Sequence, residues 1–277
     1  MLNVRKLVIE HFVEELERAY LRDYGVTETA YGRSAAWTGR MALENIADSD
    51  ILYHDVEHTI MVTSVGQAIL QGKHLLEGGV APKDWFHSIV ALLCHDIGYV
   101  KGICRGDGDG VFSTGIAGET VALPPGGTGA ALTPYHVDRS KTFVREHFEQ
   151  PLMDIDVERI VSFIEMTRFP VPDGDFYKDT RGYAGLTRAA DFIGQLGDPN
   201  YLIKIPRLFY EFEEIGANAQ LGYQGPGDMR KSYARFYWRR ISPYIQDALR
   251  YLRVTQAGKQ WIANLHSHVF AVEHDEI

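Results

Sequence analysis

Five side chains stand out in this sequence by type and by position. His95 and Asp96 follow one another at the end of an apolar run, Ala91-Leu92-Leu93-Cys94, in "ALLCHDIGYVKG". Upstream, "YHDVEHT" holds His54 and His58 at i and i+4, a spacing that sets both imidazoles on one helix face. Downstream, "TRAADFIGQLGD" carries Asp191 in a mostly apolar helical pattern, where a buried carboxylate needs a charge partner. Imidazole and carboxylate together suit Zn, Mn, Fe or Mg. His58, His95, Asp96 and Asp191 would then reach one divalent ion from three helices, as metal sites in helix bundles do. Ligands of that kind need a dry, fixed cavity, which explains a His-Asp pair at the end of a segment built for burial.

The elements that must hold these groups read as helices. Apolar positions recur at helical spacing over residues 3–22, at Val4, Leu7, Val8, Phe12, Leu16 and Ala19. A helix is expected over 48–72, with Asp48 and Ser49 as caps. Another is expected over 81–98, with Pro82 in its first turn and Gly98 as its stop. Residues 132–151 begin with Thr133-Pro134 and end before Pro151; residues 154–170 are capped by Asp154 or Asp156 and closed by Pro170. Further patterns cover 185–196, 199–216, 228–241, 243–254 and 256–272. Strand alternation is hard to find, so the expected fold is all-α: one domain over 1–277, with a core at about 45–217 and helices 228–273 packed on it.

The main interruption is 102–132, rich in glycine and proline. A stretch that long is usually functional or mobile, and its place directly after His95-Asp96 predicts a flap or rim over the metal. Its "DGDG" hints at calcium, but Val111 and Gly118 stand where an EF-hand needs ligands.

The chain has 277 residues, enough for a sizeable core, and a formal net charge of -9. That field disfavours non-specific binding to nucleic acid or to an anionic membrane, so neither is expected as a partner. Two cysteines, Cys94 and Cys104, are too few for a disulfide framework and fit a reducing compartment. The first residues lack the apolar core of a signal peptide, and no apolar run is long enough to span a bilayer. The expected location is cytoplasmic.

The order His, then His-Asp, then a distant Asp resembles the HD-domain superfamily of metal-dependent phosphohydrolases. "YHDVEHT" is similar to the opening motif of the cyclic-nucleotide phosphodiesterases, with Tyr53-His54-Asp55 where they have Tyr-His-Asn. "ALLCHDIGY" and "RAADFIGQLGD" resemble the superfamily's His-Asp and last ligand segments. The likeness is strong over about 50–100 and 187–198, and residues 1–40 and 220–277 carry none.

The resemblance implies an HD-type helical bundle with one or two divalent ions and water attack on phosphorus. The substrate would be a nucleotide, a cyclic nucleotide or another small phosphate ester. It further implies that Asp96 bridges two metals and that His54 protonates the leaving oxygen. His136, in the helix after the His-Asp pair, is then the candidate second-metal ligand. Glu165 stands where relatives often have another histidine, and Asp55 and Glu165 are candidate supporting groups. A phosphate needs cations, for which Arg139, Lys141, Arg168 and Arg188 are candidates, and Gln195 lies one turn after Asp191. Two other readings belong to the same superfamily: a dinuclear iron oxygenase, and a regulatory protein without catalysis.

In "MRKSYARFYWRRISPYIQDALRYLR", Tyr233, Phe236, Tyr237 and Tyr244 at helical spacing read as core or as a homodimer face, with the arginines outside. His266, His268 and His274 lack a matching carboxylate pattern and read as surface.

Overall fold

The computed structural model describes residues 3–26, 28–148 and 155–274. The fold is all-α. Two long helices, α1 (Val4–Tyr24) and α2 (Ala30–Ala47), pack on each other and lead into α3 (Val56–Glu77). The expected start of α3 at Asp48 is wrong. Asp48 ends α2, and α3 begins eight residues later because the Asp55 carboxylate accepts from the His58 N–H at 3.0 Å and caps it. His54 therefore lies outside the helix that carries His58.

Helix α4 (Pro82–Cys94) starts on Pro82 and is buried from Trp85 to its end. A helix buried on all sides is a central one. It stops at Cys94, earlier than the expected Gly98, and a short 3-10 turn follows over Ile97–Tyr99. Gly98 has a different role. A Cβ there would stand 2.0 Å from the His136 carbonyl oxygen, so only glycine lets α5 (His136–Phe148) approach the His-Asp turn. Ser140 of α5 ties that turn, accepting from the Gly98 N–H at 2.9 Å and donating to the His95 carbonyl at 2.7 Å.

Helix α6 (Val157–Glu165) is capped by Asp156; Asp154, the other candidate cap, and Pro151 lie outside the described residues. Helix α7 (Tyr183–Leu196) carries Asp191 and crosses α3 closely. A Cβ on Gly194 would fall 2.6 Å from Val62 Cα, so the two backbones nearly touch one turn beyond Asp191 and one turn beyond His58. That contact is what brings those two side chains together. Then come α8 (Tyr201–Glu214), α9 (Ala217–Leu221), α10 (Pro226–Phe236), a π turn over Tyr237–Ile241, α11 (Ser242–Leu252) and α12 (Gln256–Glu273).

Buried side chains form two apolar clusters. One gathers α1, α2, α4, α5 and α6 around Leu16, Leu43, Phe86 and Phe143. The other gathers α3, α7, α8 and α10–α12 around Val62, Ile193, Tyr237 and Ile245. Helices α3 and α4 supply residues to both, and the candidate ligands sit between them.

Residues 102–132 are not structureless. They hold an antiparallel hairpin, β1 (Val111–Ser113) with β2 (Thr120–Ala122), in the register Phe112 to Val121. Arg105 reaches the Glu146 carbonyl, Gly115 lies against the α5 backbone, and Thr128 bonds the Glu214 carboxylate at 2.6 Å. The segment is thus lashed along α5 and to α8. It borders the His-Asp turn through residues 129–132, which pack on Ile97–Tyr99. Among the described residues, no helix is long and apolar enough to cross a membrane.

Candidate metal centre

The end of α4, the start of α3 and the middle of α7 bring His95, Asp96, His58 and Asp191 to one point. His58 Nε2 lies 3.2 Å from Asp96 Oδ2 and 3.7 Å from Asp191 Oδ1. His95 Nε2 lies 3.1 and 3.6 Å from the same two oxygens. His58, His95 and Asp96 are buried and Asp191 is nearly so. His58, His95 and Asp191 each offer a ligand atom, all within 4.8 Å of one another.

These separations are close but poorly directed for hydrogen bonds. His58 Nε2, His95 Nε2 and Asp96 Oδ2 are all buried without a hydrogen-bond partner. Three orphaned polar atoms at one point are costly unless something satisfies them together. A shared cation does so. Ligands about 2.1 Å from one ion lie about 3.0 Å apart at a right angle and about 3.4 Å apart at the tetrahedral angle. The observed spacings fall around those values, so the residues fit a divalent ion.

The tautomer of His95 suits the same role. Its Nδ1–H donates to the Leu92 carbonyl at 2.7 Å, which leaves the Nε2 lone pair facing the cluster. Burial opposes charge on His95, but Asp96 and Asp191 outweigh it and push its pKa well above the usual value. Burial likewise opposes the Asp96 charge, but His95 and its other histidine neighbours hold Asp96 well below the carboxylate range. The cluster draws positive charge to itself.

His136 approaches from the other side. Its Nε2 lies 3.8 Å from Asp96 Oδ1, the oxygen that His58 and His95 do not face. Its Nδ1–H donates to the Thr133 carbonyl at 2.7 Å. Tyr99 is sandwiched between two imidazoles, with ring centroids 4.4 Å from His136 and 4.6 Å from His54. Burial is the main cause that lowers the His136 pKa, so its ring favours the neutral, ligating form.

His54 is off the α3 helix but still 5.3 Å, ring to ring, from His58. Its partner is Glu211 of α8, which the sequence did not point to. Glu211 Oε2 lies 2.6 Å from His54 Nδ1, while Oε1 accepts from the N–H groups of Leu52, Tyr53 and His54. Burial works against protonated His54, but Glu211, with help from Asp96 and Asp191, raises its pKa to about 9. Asp55, besides capping α3, has Oδ2 3.4 Å from Arg207 Nη1.

Several expected site residues are placed elsewhere. Arg139 is fully buried and uses all five donors: Nε to Gly98 O, Nη1 to Asp107 Oδ1 and Ser113 O, Nη2 to Val100 O and Asp107 Oδ2. It ties the glycine-rich segment to α5 and has nothing left for a substrate. Asp107 of the "DGDG" stretch is thereby engaged by an arginine. Arg188 is also buried, donating to the Tyr177 and Asp179 carbonyls and lying 4.3 Å above the Tyr244 ring.

Lys141 and Arg168 are paired with Glu165 and Asp138 at 2.5–2.9 Å. Glu165 also accepts from Tyr177 at 2.7 Å, so both its oxygens are engaged by Lys141, Arg168 and Tyr177. Gln195 donates weakly to Tyr201 Oη at 3.4 Å. His268, expected at the surface, is buried with Nδ1 3.0 Å from the Leu196 carbonyl oxygen.

A comparison with curated proteins gives no match. The chain belongs to the Npun_R2479-like family, whose model matches residues 2–275.

Proposed function

We propose that this chain is a metal-dependent phosphohydrolase of HD type that hydrolyses a small phosphate ester, a nucleotide or cyclic nucleotide among them. The observation that carries the reading is the meeting of His58 Nε2, His95 Nε2 and Asp96 Oδ2, buried without partners, with Asp191 Oδ1. Two imidazoles and two carboxylates suit Mn, Fe, Mg or Zn. When bound, such an ion supplies Lewis acidity that lowers a water's pKa and draws charge from a phosphoryl oxygen.

The chain's own residues supply the rest. His58, His95, Asp96 and Asp191 hold and orient the ion, and their burial excludes bulk water. His54 is the proton donor to the leaving oxygen. With Nδ1 tied to Glu211 and its pKa near 9, it carries its proton through neutral pH and offers it from Nε2. Asp96 Oδ1, turned toward His136, gives the pair of residues that would hold a second ion. Among nearby cations, half-exposed Arg207 has the loosest contact, 3.4 Å to Asp55, and is the best remaining partner for a substrate phosphate. We place the reaction in the cytoplasm.

The test is elemental analysis of the purified chain together with a panel of phosphate monoesters and diesters. The expected result is one or two divalent ions per chain and hydrolysis of one ester class. A chain that takes up no metal and turns over none of the panel overturns the reading.

A further inference from the structure

Charge is not spread evenly along this chain. The formal net charge is -9, yet residues 217–274 carry eight Lys and Arg against three Asp and Glu. Such asymmetry within one chain is the electrostatic footprint of an anionic partner. Five of the eight cations, Arg230, Lys231, Arg235, Arg239 and Arg240, crowd onto α10 and the π turn. Nearby Arg181 and Arg250 are paired with Asp247 and Glu77, but among the described residues none of these five has a carboxylate partner.

The helix presents them on one side. Tyr233, Ala234, Tyr237 and Ile241 are buried and define its inner face. Lys231, Arg235, Trp238 and Arg239 are exposed on the opposite face. Lys231, Arg235 and Arg239 recur at four-residue steps, about 6 Å each along a helix axis. Trp238 stands among them, 51% exposed, with its indole N–H held by Glu273 at 2.9 Å. The widened π turn sets Trp238, Arg239 and Arg240 outward in succession, and π turns are frequent at functional sites.

We propose that this face of α10 and the π turn binds single-stranded nucleic acid. Phosphates would track the row of cations while a base stacks on Trp238, the combination by which single strands are held without sequence preference. A lipid surface would need a broad apolar stripe to bury, and Trp238 is the one large exposed apolar side chain of α10 and the π turn. The inference is independent of the phosphohydrolase reading. It also departs from the sequence expectation, in which these aromatic residues are core or a homodimer face and nucleic acid is not an expected partner. Tyr233 and Tyr237 are core, but the π turn shifts the phase and leaves Trp238 outside.

The experiment is fluorescence anisotropy of a labelled, mixed-sequence single strand of about 20 nucleotides titrated with the full chain at several salt concentrations. Binding is expected, with log K falling against log salt at a slope of about -2 for three phosphate contacts. The triple variant Lys231→Gln, Arg235→Gln, Arg239→Gln should weaken binding at least about tenfold and flatten the slope. Trp238→Ala should weaken it about tenfold, and the charge-keeping triple Lys231→Arg, Arg235→Lys, Arg239→Lys should bind as the parent does. Circular dichroism should be unchanged in all of them, since the altered side chains are exposed. Three results each overturn the proposal: no binding of the strand at low salt, equal binding by the Gln triple variant, or binding to anionic phosphatidylserine vesicles but not to the strand.

Discussion

Two clusters of charged side chains lie at helix ends in this protein, and they differ in one respect. At the end of α6, Glu165 and Asp138 face Lys141, Arg168 and Tyr177, and each charge meets its opposite at hydrogen-bond distance. At the end of α4, His95 and Asp96 meet His58 and Asp191, and three of the converging atoms have no hydrogen-bond partner. The first cluster is complete as it stands and works as scaffolding. The second is complete only with something added. Three unpaired buried polar atoms meeting at one point are costly, and it is this convergence that supports the proposed ion site.

The largest effect should come from the incomplete cluster. Asp96→Ala or Asp191→Ala should abolish metal binding and lower hydrolysis by more than the roughly hundredfold loss typical of an outer partner, measured by metal content and kcat/KM. Full metal occupancy in either variant would break the distinction between the two clusters.

Glu211→Gln comes next. A general acid works while protonated, so activity is lost as pH rises through its pKa. Glu211 is what lifts His54 to about 9. Without it the alkaline limb of the kcat profile should move down toward 6.5, the ordinary His value, cutting kcat at pH 8 by roughly ten- to a hundredfold. An unmoved limb would remove His54 from the reaction.

Arg168→Ala should act on the complete cluster alone. It should lower stability by about 1–2 kcal/mol in chemical denaturation, leaving metal content and kcat intact. A raised KM instead would return Arg168 to the substrate.

The smallest effect is one of pH. Burial would raise the Glu165 carboxyl, but Arg168, Lys141 and Tyr177 outweigh it and hold the pKa at about 2, below its ordinary 4.5. Its contribution to stability is therefore full above 4.5 and is lost as pH falls toward 2. Partial exposure keeps the effect small. The melting temperature of Glu165→Gln should depend less on pH across that window than that of the parent chain.

What could be read from the sequence followed locality. The apolar run of α4, the histidines of "YHDVEHT" and the apolar frame of Asp191 are short-range patterns, and they named the four converging side chains. Helix α2 was missed because Gly32 and Gly39 weaken its pattern. The start of α3 was misread because Asp48 and Asp55 are equally good caps by type, and only the chain path decides between them. Arg139 and Glu211 were beyond reach for a different reason. Their partners lie 32 and 157 positions away, and nothing local says that an arginine will be consumed by Asp107 or that a glutamate will hold His54.

The central claim is that His58, His95, Asp96 and Asp191 share one divalent ion, and anomalous diffraction from a manganese-soaked crystal tests it directly. The account predicts a peak about 2.0–2.3 Å from His58 Nε2, His95 Nε2 and one oxygen each of Asp96 and Asp191. A second, weaker peak between Asp96 Oδ1 and His136 Nε2 would extend the site to two ions. No peak at those four side chains, or a peak at Glu165 and Asp138 instead, would contradict it.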